Sequence, residues 1–293
     1  MDKVSLNREL EHYIAHMPSM PSTVVKVIEL ANDPHTSPTD LNRVISMDPV
    51  LMGNVLKLVN SSYYGLPEKI TSLVHAIIML GINTVKNLAL SSAVLAIMNR
   101  KNEKSAIDLD QFWIHSLSSG VICKLIARLR GIPAKQQEEY MIAGLLHDIG
   151  KLPLSAIMPD VYRRVIDLSL EEKRPLFQLE KQYLDITHMD VGAMVIRFWK
   201  LPDELVDVTL WHHDPAGYDG RFQEYVYSAH VADFYSIRCR QGDAGNCWFE
   251  DIPQKVWDYL GLRPEQMEAM TNEANHEIEN AKVFLKLVSG EGL

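Results

Sequence analysis

The sequence lacks an apolar run of the roughly 20 residues that a membrane-spanning helix needs. Its richest apolar stretch, Leu73 to Met98, is interrupted by His75, Asn83, Lys86 and Asn87. The first ten residues, MDKVSLNREL, contain no apolar signal core. We therefore expect a cytoplasmic protein with no membrane partner. Cysteine is scarce: Cys123, Cys239 and Cys247 are the only three, and none forms a CxxC pair. An odd, scattered count argues against a disulfide framework and fits a reducing compartment. These thiols read as core or loop residues. Positive charge is also short, with 29 Lys and Arg against 38 Asp and Glu, a net charge of −9. General nucleic-acid binding runs on basic side chains that neutralise phosphates, so a broad basic surface is excluded. Strand-like alternation, internal repeats and low-complexity tracts are missing as well.

What is present is helical periodicity. At 293 residues, 47% hydrophobic and 23% charged, the chain has the composition of a globular protein with one large or two moderate domains. Val24, Val27, Ile28 and Ala31 repeat at helical spacing behind the start signals Pro21 and Ser22. Ser37-Pro38-Thr39-Asp40 reads as a capping box with proline at the first helical position. Asp48-Pro49 is expected to end that helix, because the residue before proline leaves α geometry. Leu51, Val55, Leu58 and Val59 form the next face. Thr71 and Ser72 can cap another helix, and Gly81 is a turn. Asn99 to Asp110 is polar and reads as a connection. Further helices are expected over about 111–129, 136–147, 159–169, 176–185, 189–199, 203–212 and 222–239. Gln241 to Asn246 (QGDAGN) reads as a surface loop, and a last amphipathic stretch runs from about Pro264 to Val288. The fold class is all-α.

Histidine is abundant, with 11 residues. His147-Asp148 lies in Gly144-Leu145-Leu146-His147-Asp148-Ile149-Gly150-Lys151 at a helix end. An imidazole beside a carboxylate offers borderline and hard ligands for Fe, Mn or Zn. Alone the pair is a weak signal, since capping or solvation explains it as well. His115 sits on an apolar helix, His188 at a helix start, and His212-His213 at a helix end, where a histidine also suits the helix dipole. Asp233 interrupts an apolar helix, and a buried carboxylate needs a strong partner. A nearby cation or a metal would serve.

The order His…His-Asp…His…His-His…Asp resembles the HD-domain superfamily of metal-dependent phosphohydrolases. The first half resembles its HDOD branch, through Met20-Pro21-Ser22, Asp48-Pro49, Val59-Asn60-Ser61-Ser62-Tyr63-Tyr64-Gly65, Val74, Ala76, Ile77 and Leu80-Gly81. The resemblance covers roughly residues 15–240. It implies an N-terminal helical half (1–105) packed on an HD-like helical bundle (106–293). It implies His115, His147, Asp148, His188, His212, His213 and Asp233 as metal ligands, with Asp148 bridging two ions and Lys151 near the phosphate. Gln111 stands where trinuclear relatives carry a glutamate, which favours two ions. The residues after His213 do not match the longer Gly-Tyr-Pro signature of the HD-GYP relatives, which weakens the case for cyclic di-GMP. Glu180 recurs in this region of the family and has no assigned role. His230 is read as structural.

The chemistry implied is hydrolysis of a phosphate ester or nucleotide. Two cations held by an aspartate acidify a water between them, and that hydroxide attacks phosphorus. Lys151, itself open to a plain reading as a solvated charge, would steady the phosphate oxygens. The expected ions are Fe or Mn, with Zn as the alternative, because histidine-rich sites disfavour Mg. The competing reading is a non-catalytic signalling module with a structural metal and a protein partner. HDOD proteins are associated with bacterial signalling, and residues 1–100 carry no catalytic motif. Ala76 to Val85 also resembles a helix-turn-helix, but it offers only Asn83, Lys86 and Asn87 to DNA. A packed helical hairpin is the preferred account.

Overall fold

The capping signals are realised almost as written. A computed structural model describes residues 3–98, 105–246 and 248–289. Ser37 and Asp40 form the reciprocal box: Ser37 Oγ accepts from the Asp40 amide and Asp40 Oδ2 accepts from the Ser37 amide, each at 3.2 Å. Asp48 departs from expectation. The helix Pro38–Ile45 has already ended, and Asp48 instead starts Pro49–Val59, its Oδ1 accepting from the Val50 and Leu51 amides. Proline suits the first helical position because its missing N–H has no intrahelical partner there.

Every regular element among the described residues is helical, in agreement with the all-α expectation. Most expected helices appear within a few residues of their bounds. Lys3–His16, Lys151–Ile157 and Gln254–Leu260 are additional, and the last amphipathic stretch forms three helices, Pro264–Ala269, Thr271–Ala281 and Val283–Ser289. Among the described residues no single helix is long and apolar enough to cross a membrane. The polar connection 99–110 is described only from Ser105. Cys123 is buried, Cys239 half-buried, both free, and Cys247 lies outside the described residues.

The site is built around Leu109–Leu129. That helix packs on Ala134–Leu146, Gln223–Arg238 and Thr271–Ala281. Ala134–Leu146 also packs against Ile82–Met98, which joins the early helices to this centre. The first helix, Lys3–His16, lies on Lys151–Ile157 and His188–Phe198, whereas the last, Val283–Ser289, returns to Ile82–Met98 and Pro49–Val59. The Asn60–Gly65 motif serves this packing. Asn60 brackets Ile70, donating to its carbonyl and accepting from its amide, both at 2.7 Å. Tyr63 accepts from Lys124 at 2.9 Å, and Lys124 pairs with the buried Glu138 at 2.5 Å.

The segment around Gly81 is a sharp bend of 117° between Leu73–Leu80 and Ile82–Met98. Lys86 and Asn87 are buried, and Lys86 lies 3.5 Å from Glu139. A recognition helix must present such side chains to base edges. The packed hairpin is therefore the correct account.

Candidate metal centre

Each histidine of the set is delivered by a helix end or a packed helix face. Asp108 caps Leu109–Leu129 by accepting from the Gln111 amide, and His115 follows one turn later on the buried side. His147 closes Ala134–Leu146, and Asp148 occupies the turn before Lys151–Ile157. Thr187 and Asp190 form a capping box that fixes His188 as the first residue of His188–Phe198. His212 closes Asp203–Trp211, and Asp233 projects from Gln223–Arg238. The His-Asp turn can approach the His188 helix because Gly150 lacks a side chain. A Cβ there would collide with the His188 carbonyl and the Gly192 backbone.

The structure brings all seven residues together. Asp148 stands between two groups of donors. Its Oδ2 lies 3.5 Å from His115 Nε2 and 3.3 Å from His147 Nε2, while Oδ1 lies 3.3 Å from His188 Nε2 and 3.6 Å from His212 Nε2. Asp233 Oδ1 lies 3.2 Å from His115 Nε2 and 3.4 Å from His147 Nε2. His213 joins the second side, its ring 4.1 Å from that of His212 and 5.1 Å from that of His188 and stacked on Phe177 at 5.0 Å, while its Nδ1 also lies 4.0 Å from Asp233 Oδ2. Two sets could each hold a cation: His115, His147, Asp148 and Asp233; and Asp148, His188, His212 and His213.

The hydrogen bonds on the far side of each ring decide what faces inward. His147 Nδ1 donates to the Gly144 carbonyl at 2.6 Å, and His188 Nδ1 to Glu180 Oε2 at 2.6 Å. His212 Nδ1 donates to the Thr209 carbonyl at 3.0 Å, and His115 Nδ1 meets Ser236 Oγ at 3.1 Å. An imidazole anchored through Nδ1–H presents its Nε2 lone pair, the arrangement metal-ligating histidines adopt. The four Nε2 atoms, both Asp233 oxygens and Asp148 Oδ1 are buried with no hydrogen-bond partner. Orphaned buried polar atoms are costly, and seven gathered around Asp148 form a donor set that suits divalent cations.

Electrostatics agree in sign. Burial pushes the Asp148 carboxyl up, but Lys151 and His147 hold it well below the usual carboxylate range. Burial likewise opposes ionisation of Asp233, and His147 and His115 overcome it. Burial lowers His212 to about 4, and burial with the neighbouring His212 and His188 holds His213 well below its ordinary value. These rings are neutral, as a ligand must be. His147 is the exception. Burial would lower it, but Asp148 and Asp233 outweigh that and raise it to about 10. A proton there, like the Lys151 ammonium, offsets the carboxylates when no other cation does.

Lys151 is not a solvated charge. It is fully buried and donates to Asp148 Oδ2 at 2.5 Å and to Asn246 Oδ1 at 2.7 Å. Glu180, without a role in the sequence reading, accepts from the His188 amide at 2.9 Å, from His188 Nδ1, and from the Tyr162 hydroxyl at 2.6 Å. Burial pushes its carboxyl up, and His188 and Tyr162 hold it below its ordinary value. His230 donates from Nδ1 to the His212 carbonyl at 2.7 Å, consistent with its structural reading. Ser236, one turn after Asp233, was also missed. Its spacing is the only signal that could have found it. Replacing Glu180 with alanine will leave three buried donors without an acceptor. At about 1–3 kcal/mol for each orphaned group, with incomplete additivity, we expect a loss of about 2–4 kcal/mol. A urea midpoint at unchanged m-value measures it.

The HDOD domain family profile matches residues 17–215. An uncharacterised protein of Treponema pallidum (strain Nichols) is 23% identical over 269 residues, covering 91% of this chain and 51% of that protein. The chain thus spans about half the length of that curated relative. An HDOD domain protein of unknown function from Geobacter sulfurreducens has a TM-score of 0.75 at 23% identity, covering 98% of this chain and 99% of that one. A protein from Shewanella amazonensis SB2B, provisionally named a phosphohydrolase, has a TM-score of 0.72 at 20% identity, covering 96% and 98%. One from Marinobacter aquaeolei VT8, provisionally named a signal transduction protein, has a TM-score of 0.71 at 21% identity, covering 99% and 67%. At these identities the solved structures speak for the fold. Because the profile match extends over more than half of its length, the chain belongs to the HDOD domain family.

Proposed function

We propose that this chain is an HDOD-type signalling protein whose His-Asp cluster holds two divalent transition ions and hydrolyses a phosphate ester or nucleotide. The observation that carries the reading is the convergence of four anchored Nε2 atoms on the two oxygens of one aspartate. His115, His147 and Asp233 would hold one ion, His188, His212 and His213 the other, and Asp148 both. The donor set, rich in imidazole with two carboxylates, suits Fe or Mn, with Zn as the alternative. Ions held there would polarise a phosphate ester and bring the pKa of water towards neutrality. The chain itself supplies orientation. Glu180 fixes the His188 ring, Asp148 keeps Lys151 at the cluster, and the Lys151 ammonium would balance negative charge on the phosphate oxygens. The names of the Shewanella and Marinobacter proteins are compatible with this reading. Residues 106–293 would carry the chemistry, and residues 1–105 would bind a protein partner in signalling.

A second reading keeps the ions as structural elements of a non-catalytic regulatory module. One observation favours it: His115, His147, Asp148, His188 and His212 are all fully buried. Metal analysis of the purified full chain, with a panel of phosphomonoesters and phosphodiesters, separates the two. We expect two equivalents of iron or manganese and turnover that disappears in His147→Ala. Bound metal with no turnover on any substrate would leave the structural reading. Failure to take up iron, manganese or zinc would sink both.

A further inference from the structure

Gln241–Asn246, expected as a surface loop, is one only in its first half, where Asp243 is exposed and Gln241 and Gly242 are half-buried. Ala244, Gly245 and Asn246 are buried. The segment leaves the end of Gln223–Arg238, crosses the amino-terminal turns of the His115 helix, and places Asn246 on Lys151. The Asp243 amide donates to the Gln111 carbonyl at 3.1 Å, and Gly245 N–H donates to Asp243 Oδ1 at 2.7 Å. Gly242, at φ +74, touches the backbone of His115 so closely that a Cβ would collide with the His115 nitrogen and the Gln111 oxygen. Asn246 completes the closure. Its Oδ1 accepts from the buried ammonium at 2.7 Å, whereas its Nδ2 is buried with no partner.

We propose that Gln241–Asn246 is a removable plug. Seated, it closes the His-Asp cluster, and the Asn246 carbonyl oxygen takes the place on Lys151 that an oxygen of a phosphate ester would take. Displaced, it opens the cluster and frees Lys151. The substitution is chemically like for like, since an amide oxygen and a phosphate oxygen are both acceptors to an ammonium, and the phosphate adds negative charge. Lys151 therefore gains from an incoming ester a stronger partner than the Asn246 oxygen that the ester displaces. The bonds that tie the segment to its surroundings include Lys151 to the Asn246 oxygen, the Asp243 amide to the Gln111 carbonyl, the Gln241 amide to the Ser236 carbonyl at 3.3 Å and the Gln241 side chain to Asn275 at 3.2 Å, and Gly242 lets it sit close. The plug rests on the phosphohydrolase reading for its ligand, but not for its closure.

Closure is testable without metal or substrate. Diethylpyrocarbonate carbethoxylates accessible imidazoles, and mass spectrometry assigns the modified residue. In the metal-free full chain, His115, His147, His188 and His212 should react far more slowly than the exposed His35. Gly242→Val, which cannot seat the segment, should speed their modification at least about tenfold. Asn246→Ala should do so by a smaller factor, the change expected when one hydrogen bond to a charged group is lost. Circular dichroism confirms that each variant is folded, and the milder Asn246→Ala decides alone if Gly242→Val is not. Equal protection of the cluster in the wild type and in the folded variants would overturn the plug. Turnover of bis-p-nitrophenyl phosphate by the manganese-loaded proteins is then compared. A rise in both variants supports the plug and the hydrolase together. Lost protection with no turnover in any protein supports the plug and removes the hydrolase reading.

Discussion

Replacing Asp148 with alanine will destabilise the protein by about 3–5 kcal/mol, the usual cost of removing one partner from a buried ion pair. Lys151 would keep only the neutral Asn246 carbonyl inside a fully buried site. The loss is a statement about the ammonium left behind, so it can be reversed. Asp148→Ala combined with Lys151→Met removes both charges and retains much of the volume, and the double variant should recover most of the lost stability. Urea denaturation of the two single variants and the double variant measures the coupling directly. Metal content should separate Asp148 from its neighbours. It belongs to both donor sets, whereas Asp233 belongs only to the set with His115 and His147. Asp148→Ala should therefore carry no metal, and Asp233→Ala should keep one ion on His188, His212 and His213. If Asp148→Ala retains a full complement of metal, the shared-aspartate arrangement is wrong.

The order of histidines and aspartates was legible because each sits beside a local signal. Thr187 and Asp190 announce the start that carries His188, the apolar run before His147 announces its helix end, and the apolar positions around Asp233 mark it as buried. What is not legible depends on contacts between separate elements of the chain. Asn246 meets Lys151 across 95 positions, and Glu180 meets His188 from a separate helix. Neither contact has a period to read. QGDAGN was read as a surface loop because its composition suits turns. One of the same glycines, Gly242, allows the backbone to press against His115, which composition cannot distinguish from solvent exposure. Asp48-Pro49 shows a related ambiguity: the sequence that stops one helix also caps the next. The amphipathic stretch after Pro264 is divided at Met270 and Lys282, so that one apolar pattern serves three short helices.

Between pH 6.5 and 9 the metal-free protein should become less stable while its affinity for a divalent ion rises. Both follow from His147, whose folded pKa is about 10 against an ordinary value of 6.5. A group with a raised folded pKa contributes stability that is complete below its unfolded value and is lost as pH rises towards its folded value. At about 1.4 kcal/mol per pH unit, the loss from pH 6.5 to 8 is about 2 kcal/mol. The two aspartates and the adjacent pair His212 and His213 add no loss in this window. Asp148 and Asp233 are already ionised, and His212 and His213, lowered in the fold, cost stability only below about pH 6.5. An ion binding through His147 Nε2 must displace that proton, so the apparent affinity should gain about one decade per pH unit. Free metal at a hundred times its dissociation constant adds about 2.7 kcal/mol. At one fixed, sub-saturating manganese concentration, the rise in melting temperature on adding metal should therefore grow from pH 6.5 to 8, while the melting temperature without metal falls. A metal increment that does not change with pH would place the ion away from His147. A falling metal-free curve with no increment at any pH would mean that Lys151 and the His147 proton are the only cations this cluster ever holds.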